Sequence, residues 1–344
     1  MQRLLQFMLQ IPRLLRPAPG FFLFFIAPFV GALLTGFTSP GGFSNLLTLL
    51  FLCFLYGGGA VIARELTLYW GKGWPTLLLL GAAFGVIEEG LHVKSFFDPH
   101  GKDLGSLATY GRVGGVNWVW VTQIVSVHAL FSVAIPILIV MLLFPKRRAE
   151  RWAGPRALLL LIVAFVACVV LSFLFLTPYH PSLLLALGTV VGAAGLVILA
   201  RFLPRRIAVT KSTEVAQPLR FGLVGFVGTL TLFLINWLLP TTLIPFWVTI
   251  MLTLVLDLAV GFAILHLSSN GTGWQERHQV ELLSGALAFF VLLAPITEIT
   301  QRQRDPGGLT LAALVAVGLL YLLNRRIRKR EQKQQQLQQQ SMVV

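Results

Sequence analysis

Residues 74–96 read WPTLLLLGAAFGVIEEGLHVKSF, an apolar run that ends in two adjacent acids, a histidine and a lysine. A helix needs about 20 apolar residues to cross a hydrocarbon core roughly 30 Å thick, and this stretch has that length. Gly81, Gly85, Glu88 and His92 recur at intervals of four, three and four, so they share one helical face, with Glu89 about 100° away. Gly81-x-x-x-Gly85 lets a second helix approach closely. The run therefore reads as a membrane span that presses its carboxylates into protein rather than lipid.

The rest of the chain has the same character. Of 344 residues, 56% are hydrophobic and 12% charged, against about 25% charged in an ordinary soluble domain. A water-soluble core is excluded. Apolar stretches near 21–37, 46–63, 75–96, 117–144, 156–176, 182–203, 219–239, 242–266, 281–298 and 308–323 each approach or meet the spanning length. Barrel strands would be shorter and alternating, so an all-α integral membrane protein of about ten transmembrane helices is expected.

Ten spans put both termini on one side. That side holds Arg3, Arg13, Arg16, Arg64, Lys72, the cluster from Lys146 to Arg156, the residues from Arg201 to Arg220, Arg277, and six cations from Arg325 to Lys333. Only Lys94, Lys102, Arg112, Arg302 and Arg304 fall opposite. The net charge of +14 is then mostly the positive-inside signature, which places the chain in a bacterial cytoplasmic membrane with both termini cytoplasmic. Anionic lipid headgroups at that face are the expected partners. Nucleic acid is not, since no compact basic domain with interleaved aromatics is present.

Three regions follow. Residues 1–20 form an interfacial amphipathic helix, with Leu4, Phe7, Met8, Ile11 and Leu15 opposite Arg3, Gln6, Gln10 and Arg13. Residues 21–323 form the transmembrane domain, and 324–344 a basic, Gln-rich cytoplasmic tail. The exterior connections 97–116 and 299–307 exceed hairpin length, and the glycine-rich first one suits a lid or vestibule. Cys53 and Cys168 lie within spans and read as small buried hydrophobes. Asn270-Gly271-Thr272 fits a glycosylation sequon but falls on the cytoplasmic side.

Ten spans divide into two sets of five, and an odd number per half makes any internal duplication an inverted repeat, as in many secondary transporters. The third and eighth spans would then correspond, each through an intramembrane acid, Glu88 and Asp257.

Ionisable groups within a span are costly in hydrocarbon and are functional candidates. Two adjacent carboxylates at low dielectric cannot readily both be ionised, so Glu88 and Glu89 are expected to hold a proton. That suits a proton carrier, a general acid, or a hydrogen bond that only fixes packing. In the fourth span His128, Ser132 and Pro136 repeat every four residues, and Pro136 cannot donate to the carbonyl of Ser132, which marks a kink. His128 lies roughly 15 Å from Trp118 along the helix, close enough to the level of Glu88 to pair with it. Asp257 has no local partner and must find one across helices or stay protonated. The substrate or proton pathway is thus assigned to Glu88, Glu89, His92, His128, Ser132 and Asp257. Lys94 is expected to snorkel at the outer boundary, and Arg64 and Glu65 at the inner one. Glu298 and Thr300 suit an exit path or interfacial solvation. No metal and no cofactor are expected: Glu89-Gly90-Leu91-His92 is one Glu-x-x-His string, and a di-iron bundle needs two with further carboxylates.

The stretch Gly57-Gly58-Gly59 to Arg64-Glu65, with Gly73-Trp74-Pro75, Glu88-Glu89-Gly90-Leu91, Lys94-Ser95-Phe96-Phe97 and His128 to Phe144-Pro145, resembles a group of multi-pass bacterial membrane proteins with no assigned activity. A second resemblance is to the CAAX-protease and bacteriocin-processing intramembrane metalloproteases, whose strings are Glu-Glu-x-x-x-Arg, Phe-x-x-x-His and His-x-x-x-Asn. Glu88-Glu89 is similar to the first, though no Arg stands at the fourth residue after Glu89 and the fifth is Lys94, and Phe262 to His266 and His266 to Asn270 share one histidine. That resemblance implies a metal-dependent hydrolase. Three functions remain in view: a proton-linked secondary transporter or flippase-like carrier of a small molecule or lipid, an intramembrane hydrolase, and a structural or assembly protein.

Overall fold

The computed structural model describes residues 18–101, 104–209, 214–241, 243–300 and 307–343. The amphipathic helix expected over 2–16 lies outside them, as do Lys102, Arg302 and Arg304. Nine described helices are long and apolar enough to cross a membrane: α2 (Leu46–Tyr69), α3 (Trp74–His92), α4 (Trp118–Leu143), α5 (Pro155–Phe175), α6 (Leu183–Phe202), α7 (Pro218–Leu238), α8 (Phe246–Leu267), α9 (Glu276–Thr300) and α10 (Leu309–Val343). The first expected span is the shorter α1 (Pro19–Leu34), about 24 Å long at 1.5 Å per residue. Strand is confined, among the described residues, to the two-residue ribbon β1 (Arg112–Val113) and β2 (Val116–Asn117). The protein is an all-α multi-pass membrane protein.

Position in the bundle follows composition. The apolar window of α4 is 72% buried, whereas those of α5, α6 and α8 are 17%, 17% and 11% buried, so α4 is the axis and the other three face the surroundings. One apolar core joins α1, α4, α7, α9 and α10, and a second joins α1 to α6. Both use α4. Gly81 and Gly85 do what their spacing predicts, since a Cβ at either would stand 2.9 Å from Ala129 or His128 of α4.

Four of these helices carry π-helical turns: Phe29–Leu34 in α1, Cys53–Gly57 in α2, Glu88–His92 in α3 and His128–Ala134 in α4. In α4 the irregular turn ends just before Pro136, whose missing N–H breaks the regular hydrogen-bond ladder there. Such turns insert a residue locally and are frequent at functional sites.

Several expectations change. The pairing of helices does not carry an inverted repeat: α3 packs closely on α4 and α6, whereas α8 packs on α7 and α4 rather than on α9 as inversion requires. Arg64 and Glu65 do not snorkel. The Arg64 guanidinium donates to Glu65 (2.6 Å) and to the carbonyls of Arg148 (2.9 Å) and Glu150 (2.6 Å), and lies 3.9 Å over the Trp152 ring. Glu65 in turn accepts from the Trp152 amide at 2.9 Å, so the pair is buried and pins the 145–154 connection. Lys94 is fully buried, and its ammonium donates to the Phe173 (3.0 Å) and Thr177 (3.1 Å) carbonyls, closing the C-terminal end of α5 where the helix dipole favours a cation. Glu298 accepts from the amides of Gly308 (3.1 Å) and Thr310 (2.7 Å), so it caps the start of α10 instead of lining a path. The tail beyond residue 323 continues α10 as a helix through Val343, largely exposed as far as Gln340.

Candidate functional site

The site is built on the π turns. Glu88 and Glu89 open the irregular turn of α3, His128 opens that of α4, and Tyr56 lies in that of α2. Glu88, Glu89 and His128 are 3%, 4% and 0% exposed. His128 Nε2 lies 3.0 Å from Glu89 Oε1 and 3.1 Å from Glu88 Oε2. The pairing of Glu88 with His128 expected from their depths is present. Glu89, expected about 100° off that face, reaches the same nitrogen from the π turn that the two glutamates open.

Every outward-facing atom of the three groups has a partner. His128 Nδ1 is 2.9 Å from Ser132 Oγ, the Tyr56 hydroxyl donates to Glu88 Oε1 at 2.9 Å, and the Ser95 hydroxyl donates to Glu89 Oε2. Trp120 Nε1 donates to Ser95 Oγ at 2.9 Å, which continues the network toward the end of the bundle. Ser95 is held in turn: Arg112 donates to the Phe97 carbonyl at 2.8 Å and Asn117 N to the Phe96 carbonyl at 2.9 Å. The connection 97–116, foreseen as a lid, is therefore strapped over this end of the site by its β-ribbon.

The walls are aromatic. The rings of Phe37, Tyr56 and Phe84 stand 5.7, 5.9 and 5.7 Å from the His128 ring, with Phe37 stacked nearly parallel to it. His92 is adjacent, Nε2 3.9 Å from Glu88 Oε1, with its buried Nδ1 lacking a hydrogen-bond partner. Ser132, Glu88, Glu89, His92 and His128 are thus brought together. Asp257 is not among them. It accepts from Ser126 Oγ at 2.6 Å, and Ser126, two residues before His128, points about 200° away around α4. The cross-helix partner expected for Asp257 exists, at a separate station.

Tyr56, Ser95, Trp120 and Phe37 were not legible as site residues. Tyr56 sits in an apolar span with no polar periodicity, and Ser95 lies in the Lys94-Ser95-Phe96-Phe97 string without a chemical signature of its own. His266 belongs to another place. It stacks on Phe262 with rings 6.0 Å apart near the terminus-side end of α8, while the described His, Cys, Asp and Glu groups close enough to hold a metal are Glu88, Glu89 and His128, with donor atoms within 4.8 Å. The three CAAX-type strings do not converge, because His266 lies about 14 Å along α8 beyond Asp257.

The fold and site define a multi-pass membrane protein with a buried Glu/Glu/His cluster among its innermost helices. Residues 21–320 match the model of an uncharacterized membrane protein family, and the chain belongs to it. No curated protein and no solved structure matches the chain.

Proposed function

We propose that the protein is a cation-linked secondary carrier whose ion site is Glu88, Glu89 and His128, a proton being the smallest ion such a site handles. The observation that supports this reading is the cluster itself: three ionisable side chains share contacts inside the bundle, on helices whose regular hydrogen bonding is interrupted at that level. Carriers place ion sites where spanning helices are irregular. The reading rests on the cluster and not on an internal repeat. Asp257 with Ser126 forms a second polar station on the far side of α4, and the transported species is a small molecule or lipid.

Glu89→Gln is isosteric but removes a charge from the site. In proteoliposomes, wild-type protein should dissipate an imposed cation gradient, and Glu89→Gln should slow that flux by about a hundredfold, the order expected when a group with a direct role is lost. Equal fluxes in both would remove the reading.

The protein is oriented in a bacterial cytoplasmic membrane with both termini and the basic 145–154 connection in the cytoplasm, its cations facing anionic headgroups. Cysteines introduced as His180→Cys and Arg148→Cys, both exposed in the fold, should react with an impermeant reagent added outside intact cells at residue 180 and not at 148. The reverse pattern would invert the topology.

A further inference from the structure

We infer that Glu88, Glu89 and His128 form a binding site for one divalent first-row transition-metal ion, which names the ion of the site proposed above and rests on reading that cluster as an ion site. The first reason is convergence. Glu88 Oε2 and Glu89 Oε1 lie 3.1 and 3.0 Å from the same nitrogen, His128 Nε2. A single N–H cannot point at both. It aligns with Glu89, and Glu88 Oε2 is left buried without a hydrogen bond, an arrangement that is costly for a neutral group and more so for a charged one. Donors about 2.1 Å from a shared ion, at angles somewhat above 90°, stand about 3.1 Å apart. Both carboxylate-to-histidine separations fit that spacing, and an ion in place of the Nε2 proton would give Glu88 Oε2 the partner it lacks.

The second reason is the partition of the remaining atoms. Ligating carboxylates and histidines are held through their non-ligating atoms, which fixes tautomer and orientation. Here Tyr56 takes Glu88 Oε1, Ser95 takes Glu89 Oε2 and Ser132 takes His128 Nδ1. The inner atoms converge and the outer atoms are fixed. With the Nε2 proton displaced, Nδ1–H donates to Ser132 Oγ, as it does in histidines that bind metal through Nε2.

The third reason is charge. Two carboxylates and a neutral imidazole carry −2, which a divalent ion cancels, leaving a neutral assembly in a low-dielectric interior where an uncompensated charge is costly. One imidazole with two carboxylates suits Zn²⁺, Mn²⁺, Fe²⁺ or Co²⁺ better than the all-oxygen preference of Mg²⁺ and Ca²⁺. His92, 3.9 Å from Glu88 Oε1 and with an unpartnered Nδ1, stands beside the site as a further donor.

The test uses the full chain in detergent, stripped with chelator and dialysed separately against Co²⁺, Zn²⁺ and Mn²⁺. The expected result is about one ion per chain by elemental analysis, with visible d–d absorption from the Co²⁺ form. Glu89→Gln and His128→Asn should weaken Co²⁺ binding by at least about a hundredfold, and Ser132→Ala, which removes only the hydroxyl behind Nδ1, by about ten- to a hundredfold. Folding of each variant is checked by its elution profile and unfolding midpoint. No stoichiometric uptake of any of the three ions by folded wild-type protein overturns the inference, and so does unreduced uptake by Glu89→Gln and His128→Asn, which would assign the ion to exposed histidines such as His180. Cation flux in proteoliposomes without metal uptake also overturns it and leaves the carrier standing. Metal uptake without flux supports it and removes the carrier, leaving hydrolytic chemistry as the use of the ion.

Discussion

Replacing His128 by alanine is expected to destabilise the protein by about 3–5 kcal/mol, the cost of removing one member of a buried charged set and leaving the others unpaired. The imidazole is fully buried and contacts both carboxylates at 3.0–3.1 Å. Its loss leaves Glu89 Oε1 without its donor and opens a void among Phe37, Tyr56 and Phe84. Equilibrium unfolding in detergent measures the effect. The double variant with Glu89→Gln should be less destabilised than the sum of the two single variants, because the second change removes a charge that the first has stranded. Additive costs would mean that His128 and Glu89 do not interact, contrary to the geometry.

The second large effect lies away from the site, where α7 and α9 touch backbone to backbone. A Cβ at Gly285 would stand 1.9 Å from the Gly222 carbonyl oxygen, and one at Gly225 would stand 2.3 Å from that of Leu282. Neither obstacle is a side chain that could swing away. Gly285→Ala and Gly225→Ala should therefore force the helices apart and cost about 2–3 kcal/mol each, at the upper end for overpacking. Gly188→Ala and Gly192→Ala in α6 provide the contrast. Nothing lies within 4 Å of a Cβ at either position, and the better helix propensity of alanine should leave stability unchanged or raise it by up to about 1 kcal/mol. A stable Gly285→Ala protein with an unaltered midpoint would contradict the close crossing.

This difference between glycines was hidden in the sequence. Gly222, Gly225, Gly188 and Gly192 all occur in apolar runs with similar spacing, yet two helices meet at the first pair while the second pair faces outward. Gly81 and Gly85 could be read correctly because Glu88 and His92 marked their face as the one turned inward. For α6 and α7 no polar residue supplied such a mark.

The amino-acid sequence by itself determined that the chain is built of long apolar helices and where along the chain each one lies, since spanning length and backbone hydrogen bonding are properties of a segment alone, though not how far α2, α9 and α10 run beyond their apolar stretches. It also brought Glu88 to the level of His128, because depth along a helix follows from counting residues. The tertiary structure decided everything that depends on rotation about a helix axis and on which helices are neighbours. It brought Tyr56 and Ser95 to the carboxylates, sent Asp257 to Ser126, separated His266 from the acids, and paired α7 with α9 and α3 with α4 and so broke the symmetry of the halves. It also brought Glu89 to the same histidine nitrogen as Glu88 from within a π turn, a local change of pitch that no 3.6-residue count contains. Lipid-facing and protein-facing surfaces of such helices are almost equally apolar, so hydropathy can place a segment in the membrane but cannot choose its neighbours.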